Sequence, residues 1–305
     1  MLRYAGAVAA SKAFSATAVG RRVYHHLGRQ ALERLRVAEG LPQRYVDRAD
    51  RLLAQVARHD VLAPGDRVLE IGTGWVHWEA TVLALHHDVR VTMLDVRDNR
   101  LPRAYRAYLA GYRAHLESVP ASLAPAGRDR ALDRLGAALD APDLDGVYDL
   151  LGLEHVVEPT GSLAGLDAGR FALVVSADVL EHLPTASLAA HVREELERVR
   201  PGGYAIHQID LVDHYHYFDP STSPKTYYRY GDGTWRRWFQ SEVQYFNRVQ
   251  RPQWQALFRD AGWSVVEDGV ACGEIGEVPI AAPFAALSPA DRDCLQILGV
   301  HRRPA

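Results

Sequence analysis

Chemistry is most concentrated in one short stretch of the 305-residue chain, where His207, Asp210, Asp213, His214 and His216 crowd together. Imidazoles and carboxylates at such spacing can draw a proton from an acceptor. They can also hold a metal, but no tight ligand motif is present and loop histidines often only make hydrogen bonds, so no metal is expected. A second chemical stretch is Glu70-Ile71-Gly72-Thr73-Gly74-Trp75. Glycine lacks Cβ, so the chain can turn with positive φ there and a ligand can press on the backbone. A third is Asp95, placed about 20 residues beyond the glycines, where a carboxylate can accept hydrogen bonds from ribose hydroxyls.

These residues need elements to position them. Val68 to Ile71 is an apolar run entering a glycine turn, and Val76 to His87 is rich in helix formers. Strand, glycine turn and helix make a nucleotide-binding start, with helix N–H groups aimed at the ligand. Val91 to Leu94 reads as the second strand, ending at Asp95. A dinucleotide fingerprint would want glycine at position 77, where this chain has His77, and Glu70 would repel a pyrophosphate. A nicotinamide-dependent oxidoreductase is therefore disfavoured.

The stretch resembles motif I of the class I S-adenosylmethionine (SAM) methyltransferases, an acid followed by a Gly-x-Gly turn. Phe171 to Leu183, containing Ser176, Asp178, Leu180, Glu181 and His182, resembles that family's fourth strand and its loop, and Arg200-Pro201-Gly202-Gly203-Tyr204 its turn into the fifth strand. The resemblance covers roughly residues 60–305. It implies a Rossmann-like α/β fold with a mostly parallel seven-stranded sheet covered by helices on both faces. It also implies SAM as cofactor, held by Glu70, Gly72, Thr73, Gly74, Trp75, Asp95, Ser176 and Asp178. Thr160, Gly161 and Ser162 lie in the loop where the family contacts adenine, without its usual Asp or Asn. On the same resemblance His77 falls one turn into the first helix, beside the methionine end of SAM. Trp75 and Trp78 flank it, either favouring the sulfonium or packing in the core. His77, His182, His207, His214 and His216 are the candidate bases.

Around this core the chain carries additions. Residues 1–60 read as helices, with Tyr45, Ala49, Leu52, Leu53 and Val56 at helical spacing, and are expected to cap the cleft or cover a sheet edge. Residues 99–147 form a helical insertion marked by Tyr105, Tyr108, Leu109, Tyr112 and Leu116 on one helix and Leu132, Leu135 and Leu139 on another. Its arginines read as a solvated face. Residues 210–250 are dense in aromatics, which need burial, and follow the carboxyl end of a central strand; they are expected to form a lid over the acceptor.

Composition narrows the function. The chain is 48% hydrophobic and 24% charged with a net charge of −3, so it has no basic footprint for nucleic acid. Two cysteines suit a reducing cytosol, Lys12 interrupts any export signal, and no stretch reaches the ~20 apolar residues of a membrane span. The expected reaction is methyl transfer to a small molecule of specialised metabolism. The alternative keeps SAM but cyclises it, its α-amino group displacing methylthioadenosine to give azetidine-2-carboxylate. A non-catalytic binding module is disfavoured by the intact motifs. The oligomeric state stays open, a homodimer included.

Overall fold

A computed structural model describes residues 2–305. Three helices come first, α1 (Leu2–Ser15), α2 (Ala18–Glu39) and α3 (Gln43–Arg58). Then β1 (Asp66–Ile71), α4 (Trp78–His86), β2 (Val89–Asp95), α5 (Pro102–Ser118), α6 (Arg128–Asp140), α7 (Leu144–Leu151) and β3 (Leu153–Val157) follow. β4 (Phe171–Ala177), α8 (Leu188–Arg198) and β5 (Val199–Asp210) complete the parallel part. After α9 (Asp232–Trp238) and α10 (Arg251–Ala261), strand β6 (Ser264–Cys272), the short α11 (Pro289–Arg292) and β7 (Cys294–Arg302) end the sheet.

The seven strands lie in the order β3-β2-β1-β4-β5-β7-β6. β1 to β5 pair in parallel, while β7 runs antiparallel between β5 and β6. Strand order reverses between β1 and β4, so a crevice opens outside their carboxyl ends, where open sheets bind ligands. Side chains alternate across the sheet. Val68, Val91, Met93, Leu173 and Val175 pack with α3 to α7, and Leu69, Leu94, Val174 and Ala205 pack with α8 and α10.

The fold class is the expected one, with three local differences. The helical insertion holds a third helix, α7, capped by the Asp143 side chain on the Gly146 N–H and closed by Gly152 at φ 71°. The turn expected at Arg200–Tyr204 is a bulge inside β5: pairing passes from Phe171↔Val199 to Leu173↔Tyr204. The aromatic stretch after β5 forms its own small core. Tyr215, Tyr227, Tyr228, Trp235 and Phe246 are buried there with Tyr4 and Val8 of α1 and with Phe284 and Leu287. Its rings largely fill this core, although Tyr217, Phe218 and Trp238 stay exposed. The insertion arginines divide between surface pairs, as Arg113 with Glu117, and a helix end, where Arg106 donates to the Leu139 and Ala141 carbonyls.

Candidate active site

The glycine turn is built from β1. Gly72 and Gly74 both have positive φ, 67° and 65°. A Cβ on Gly72 would lie 2.5 Å from both Val179 methyls, so the close approach of the loop after β4 itself requires this glycine. A Cβ on Gly74 would have only the Gly72 carbonyl near it, at 3.7 Å, so this is the glycine a ligand can reach. Glu70 is buried behind the turn. Its carboxylate accepts from the Thr73 hydroxyl and, at 3.0 Å, from the Ala80 N–H. It therefore orders the turn. Burial and then the neighbouring Glu79 push its pKa up to about 8.

Asp95 ends β2 as expected, but its oxygens already serve the protein. Oδ2 accepts from the Gly74 N–H at 2.9 Å and Oδ1 from the Arg97 N–H at 3.2 Å. A carboxylate has about four acceptor positions, so lone pairs remain for two hydroxyls. The loop after β3 is tied down: within it Thr160 donates to Glu158 at 2.8 Å, and Ser162 donates to Glu194 of α8 at 3.4 Å. Gly161, at φ 71°, faces Val96 just beyond Asp95. Trp75 is half-buried against the helical core, and Trp78 is fully buried, its indole N–H donating to the Tyr45 carbonyl at 2.8 Å. Trp78 is thus core packing. A reachable glycine and a strand-end carboxylate side by side fit an adenosine-type ligand.

Three candidate bases are corrected by the geometry. His77 precedes α4 instead of lying within it, in the left-handed region at φ 45°. It is fully buried, 3.2 Å from the Tyr148 hydroxyl and edge-on to Tyr105, and burial lowers its pKa to about 3. His207 points to the α8 and α10 face. It lies 2.8 Å from the Ser176 hydroxyl and 3.3 Å from Glu195, which also meets His191 at 3.2 Å. Ser176 is accordingly turned away from the crevice as well. His216 bonds the Thr222 carbonyl at 2.9 Å and holds its own turn. Asp213 is buried under the aromatic core, accepting from the Tyr4 hydroxyl and the Tyr215 N–H.

The remaining two candidates meet. His182 lies on the turn Leu180–His182 after β4 and His214 on the turn His214–Tyr217 after β5, with ring centroids 4.9 Å apart. His214 is buried, stacked on Phe246, with Nε2 3.4 Å from Asp210 Oδ2. Asp210 also accepts from the Tyr217 hydroxyl at 2.6 Å and the Val212 N–H at 2.9 Å. Burial opposes its charge, yet the His214 and Tyr217 bonds hold its pKa below the usual carboxylate value. His182 Nδ1 is 2.7 Å from the Tyr245 carbonyl, and its ring keeps an exposed edge. Glu181 is buried between these groups, and burial beside Asp178 raises its pKa well above the ordinary range. Asp178, at φ 57°, is held by Gln208 and Arg48, and Arg48 also pairs with Glu79 at 2.5 Å.

Sequence reasoning gave no separate role to Glu181, Tyr217, Glu79 or Arg48. Glu181 lay in the recognised run and Tyr217 in the aromatic stretch, so both had a positional signal. Arg48 had none: its partners come from α4 and the β4 loop.

Cavities flank the site. One of about 470 Å³ between α2 and the loop after β2 is lined by Arg21, Arg22, His25, Arg97 and Glu242. Another, about 410 Å³, is lined by Trp235, Tyr245, Phe246, Asn247 and Arg248 among others, and by no residue of the glycine turn. No helix among the described residues is long and apolar enough to cross a membrane.

A family model described as methyltransferase domain matches residues 37–268. Among solved structures the chain is similar to Haemonchus contortus phosphoethanolamine N-methyltransferase 2 in complex with phosphomonomethylethanolamine and S-adenosylhomocysteine, at 15% identity and a TM-score of 0.46. That match covers 84% of this chain and 53% of the other, so the chain spans about half the relative's length. It is also similar to a SAM-dependent methyltransferase of Methanosarcina mazei, at 14% identity and a TM-score of 0.44, covering 81% of this chain and 97% of that one. No curated protein matches the chain.

Proposed function

The chain belongs to the SAM-dependent methyltransferases, as the match over residues 37–268 establishes, and we propose that it methylates a small molecule of specialised metabolism. One observation carries this reading. His182 and His214 meet 4.9 Å apart at the ends of β4 and β5, and Val179 of the same β4 loop packs on Gly72 of the glycine turn. Acceptor chemistry and cofactor turn thus adjoin.

SAM supplies an electrophilic methyl group on a sulfonium. The chain's task is then to position, to exclude water and to manage the acceptor's proton. Gly74 and Asp95 hold the adenosine part, with Gly161 beside them. Asp178 and the turn after it border the methyl group. His182 and His214 engage the acceptor's reacting atom, and Asp210 and Tyr217 fix the orientation of His214. The first two helices and residues 210–250 close the crevice: α1 enters the aromatic core through Tyr4, and α2 reaches the loop after β2 through His25 and Arg97. A net charge of −3 and a His214 ring buried against Phe246 favour a small molecule over nucleic acid.

The test uses methyl-labelled SAM with the protein alone and with a small-molecule extract. Label passing to the small-molecule fraction, with S-adenosylhomocysteine formed only when extract is present, is expected. Label in protein or nucleic acid would overturn the acceptor class. Methylthioadenosine from SAM alone would establish cyclisation instead.

A further inference from the structure

We propose that Glu181, His182 and His214 bind one divalent transition-metal ion at the acceptor end of the crevice, an inference that rests on the methyltransferase reading and deepens it. Each residue offers one ligand atom, and these atoms all lie within 4.8 Å of one another. They come from two turns, after β4 and after β5, that the sheet brings together. Spacing of this order suits one ion held by three ligands.

Independent observations point to a missing partner. Glu181 is 1% exposed, and among the described residues neither of its carboxyl oxygens has a hydrogen-bond partner. Nε2 of His214, 5% exposed, has only the long contact to Asp210 Oδ2 at 3.4 Å. Buried polar groups are almost always satisfied, and a buried carboxylate is costly unless paired or bound to a metal. A cation between these atoms satisfies them together.

The surroundings are arranged as metal sites are. The Tyr245 carbonyl, 2.7 Å from His182 Nδ1, accepts a hydrogen bond from that N–H, which leaves Nε2 free to ligate. Asp210 stands beside His214 and is fixed by Tyr217 and Val212. Asp178 and Asp210 add negative charge, while Arg48, the nearby cation, is engaged by Glu79 and Asp178. His182 keeps an exposed edge, so one side of the site is open to a water or an acceptor. Two imidazoles and one carboxylate with an open position suit zinc, manganese, iron or cobalt better than calcium or magnesium.

Such an ion selects an acceptor with an oxygen donor, a hydroxyl above all. On coordination the hydroxyl releases its proton to solvent. Its oxygen then takes the methyl carbon while the sulfur–carbon bond electrons stay on sulfur, leaving S-adenosylhomocysteine.

The experiment titrates Co²⁺ into chelator-stripped protein and reads visible d–d absorption. Saturation at a single equivalent is expected, with affinity at least tenfold weaker in Glu181→Gln, His182→Ala and His214→Ala. His216→Ala, on the same turn but bonded to the Thr222 carbonyl, should bind as the parent does. Melting curves verify folding; His182→Ala, at a partly exposed position, keeps the test informative if Glu181→Gln does not fold. Absence of saturable absorption, or equal binding by His182→Ala and His214→Ala, would overturn the site. Calorimetry with SAM on the stripped protein separates the two readings. Normal SAM binding without Co²⁺ binding refutes the metal alone, and loss of SAM binding refutes the cofactor reading.

Discussion

Two glycines in one turn do different work. Gly72 faces the Val179 methyls at 2.5 Å from a hypothetical Cβ, so Gly72→Ala adds overpacking of about 1–3 kcal/mol to backbone strain of about 1–2 kcal/mol. Gly74→Ala meets only the strain, about 1–2 kcal/mol, because its Cβ position is open. We expect Gly72→Ala to lose the more stability in urea, and Gly74→Ala to fold yet bind SAM at least tenfold more weakly. Unchanged SAM affinity in Gly74→Ala would remove the glycine from the site. Asp95→Ala should cost more than tenfold in SAM affinity, because the same carboxylate also ties down the Gly74 N–H. His77 gives a pH signature. Its folded pKa, about 3, is below the unfolded value, so the neutral buried form favours folding above about pH 6.5, and that contribution is lost as pH falls towards the folded value. His77→Asn, which tolerates the left-handed backbone, should flatten the stability-versus-pH curve between about pH 6.5 and 4 in urea titrations. An equally steep curve would show that His77 is not a source of it.

At the scale of elements, the period of two in the strands decides which polar groups belong to the site. Ser176 has the parity of Val174, and His207 that of Ala205, so both face α8 and α10. There Glu195 of α8, wholly buried, pairs with His207 of β5 and with His191 of its own helix. Burial opposes its charge, but His207 and His191 hold its pKa down to about 2. A carboxylate with a lowered folded pKa stabilises above its unfolded value, and the effect fades as pH falls towards the folded one. Breaking a buried pair typically costs about 3–5 kcal/mol. Glu195→Gln should therefore lower stability by about 3 kcal/mol at neutral pH while SAM affinity stays unchanged. A shift in SAM affinity with no loss of stability would mean that the network serves the ligand.

Across the whole molecule, the helices before β1 divide into two kinds. α3 buries Tyr45, Val46, Ala49, Leu52, Leu53 and Val56, whereas α2 buries no residue. Elements with little burial open at low free energy. Amides of residues 18–39 should therefore exchange hydrogen before those of residues 43–58, and slow when SAM is added. Equal protection of both helices without ligand would refute a closing role for α2. What the sequence determined by itself was local. Alternating apolar runs and helix formers specified the β/α order and the end of β2 at Asp95, because strand and helix periodicities are written in neighbouring residues. The Gly-x-Gly turn and Asp95 were legible for the same reason. Tertiary structure decided what those residues touch. Gly72 accommodates Val179, and the aromatic stretch shares its core with Tyr4 and Val8 from the far end of the chain. Of five candidate histidines only His182 and His214 come together, since strand order sets long-range proximity and no local pattern encodes it.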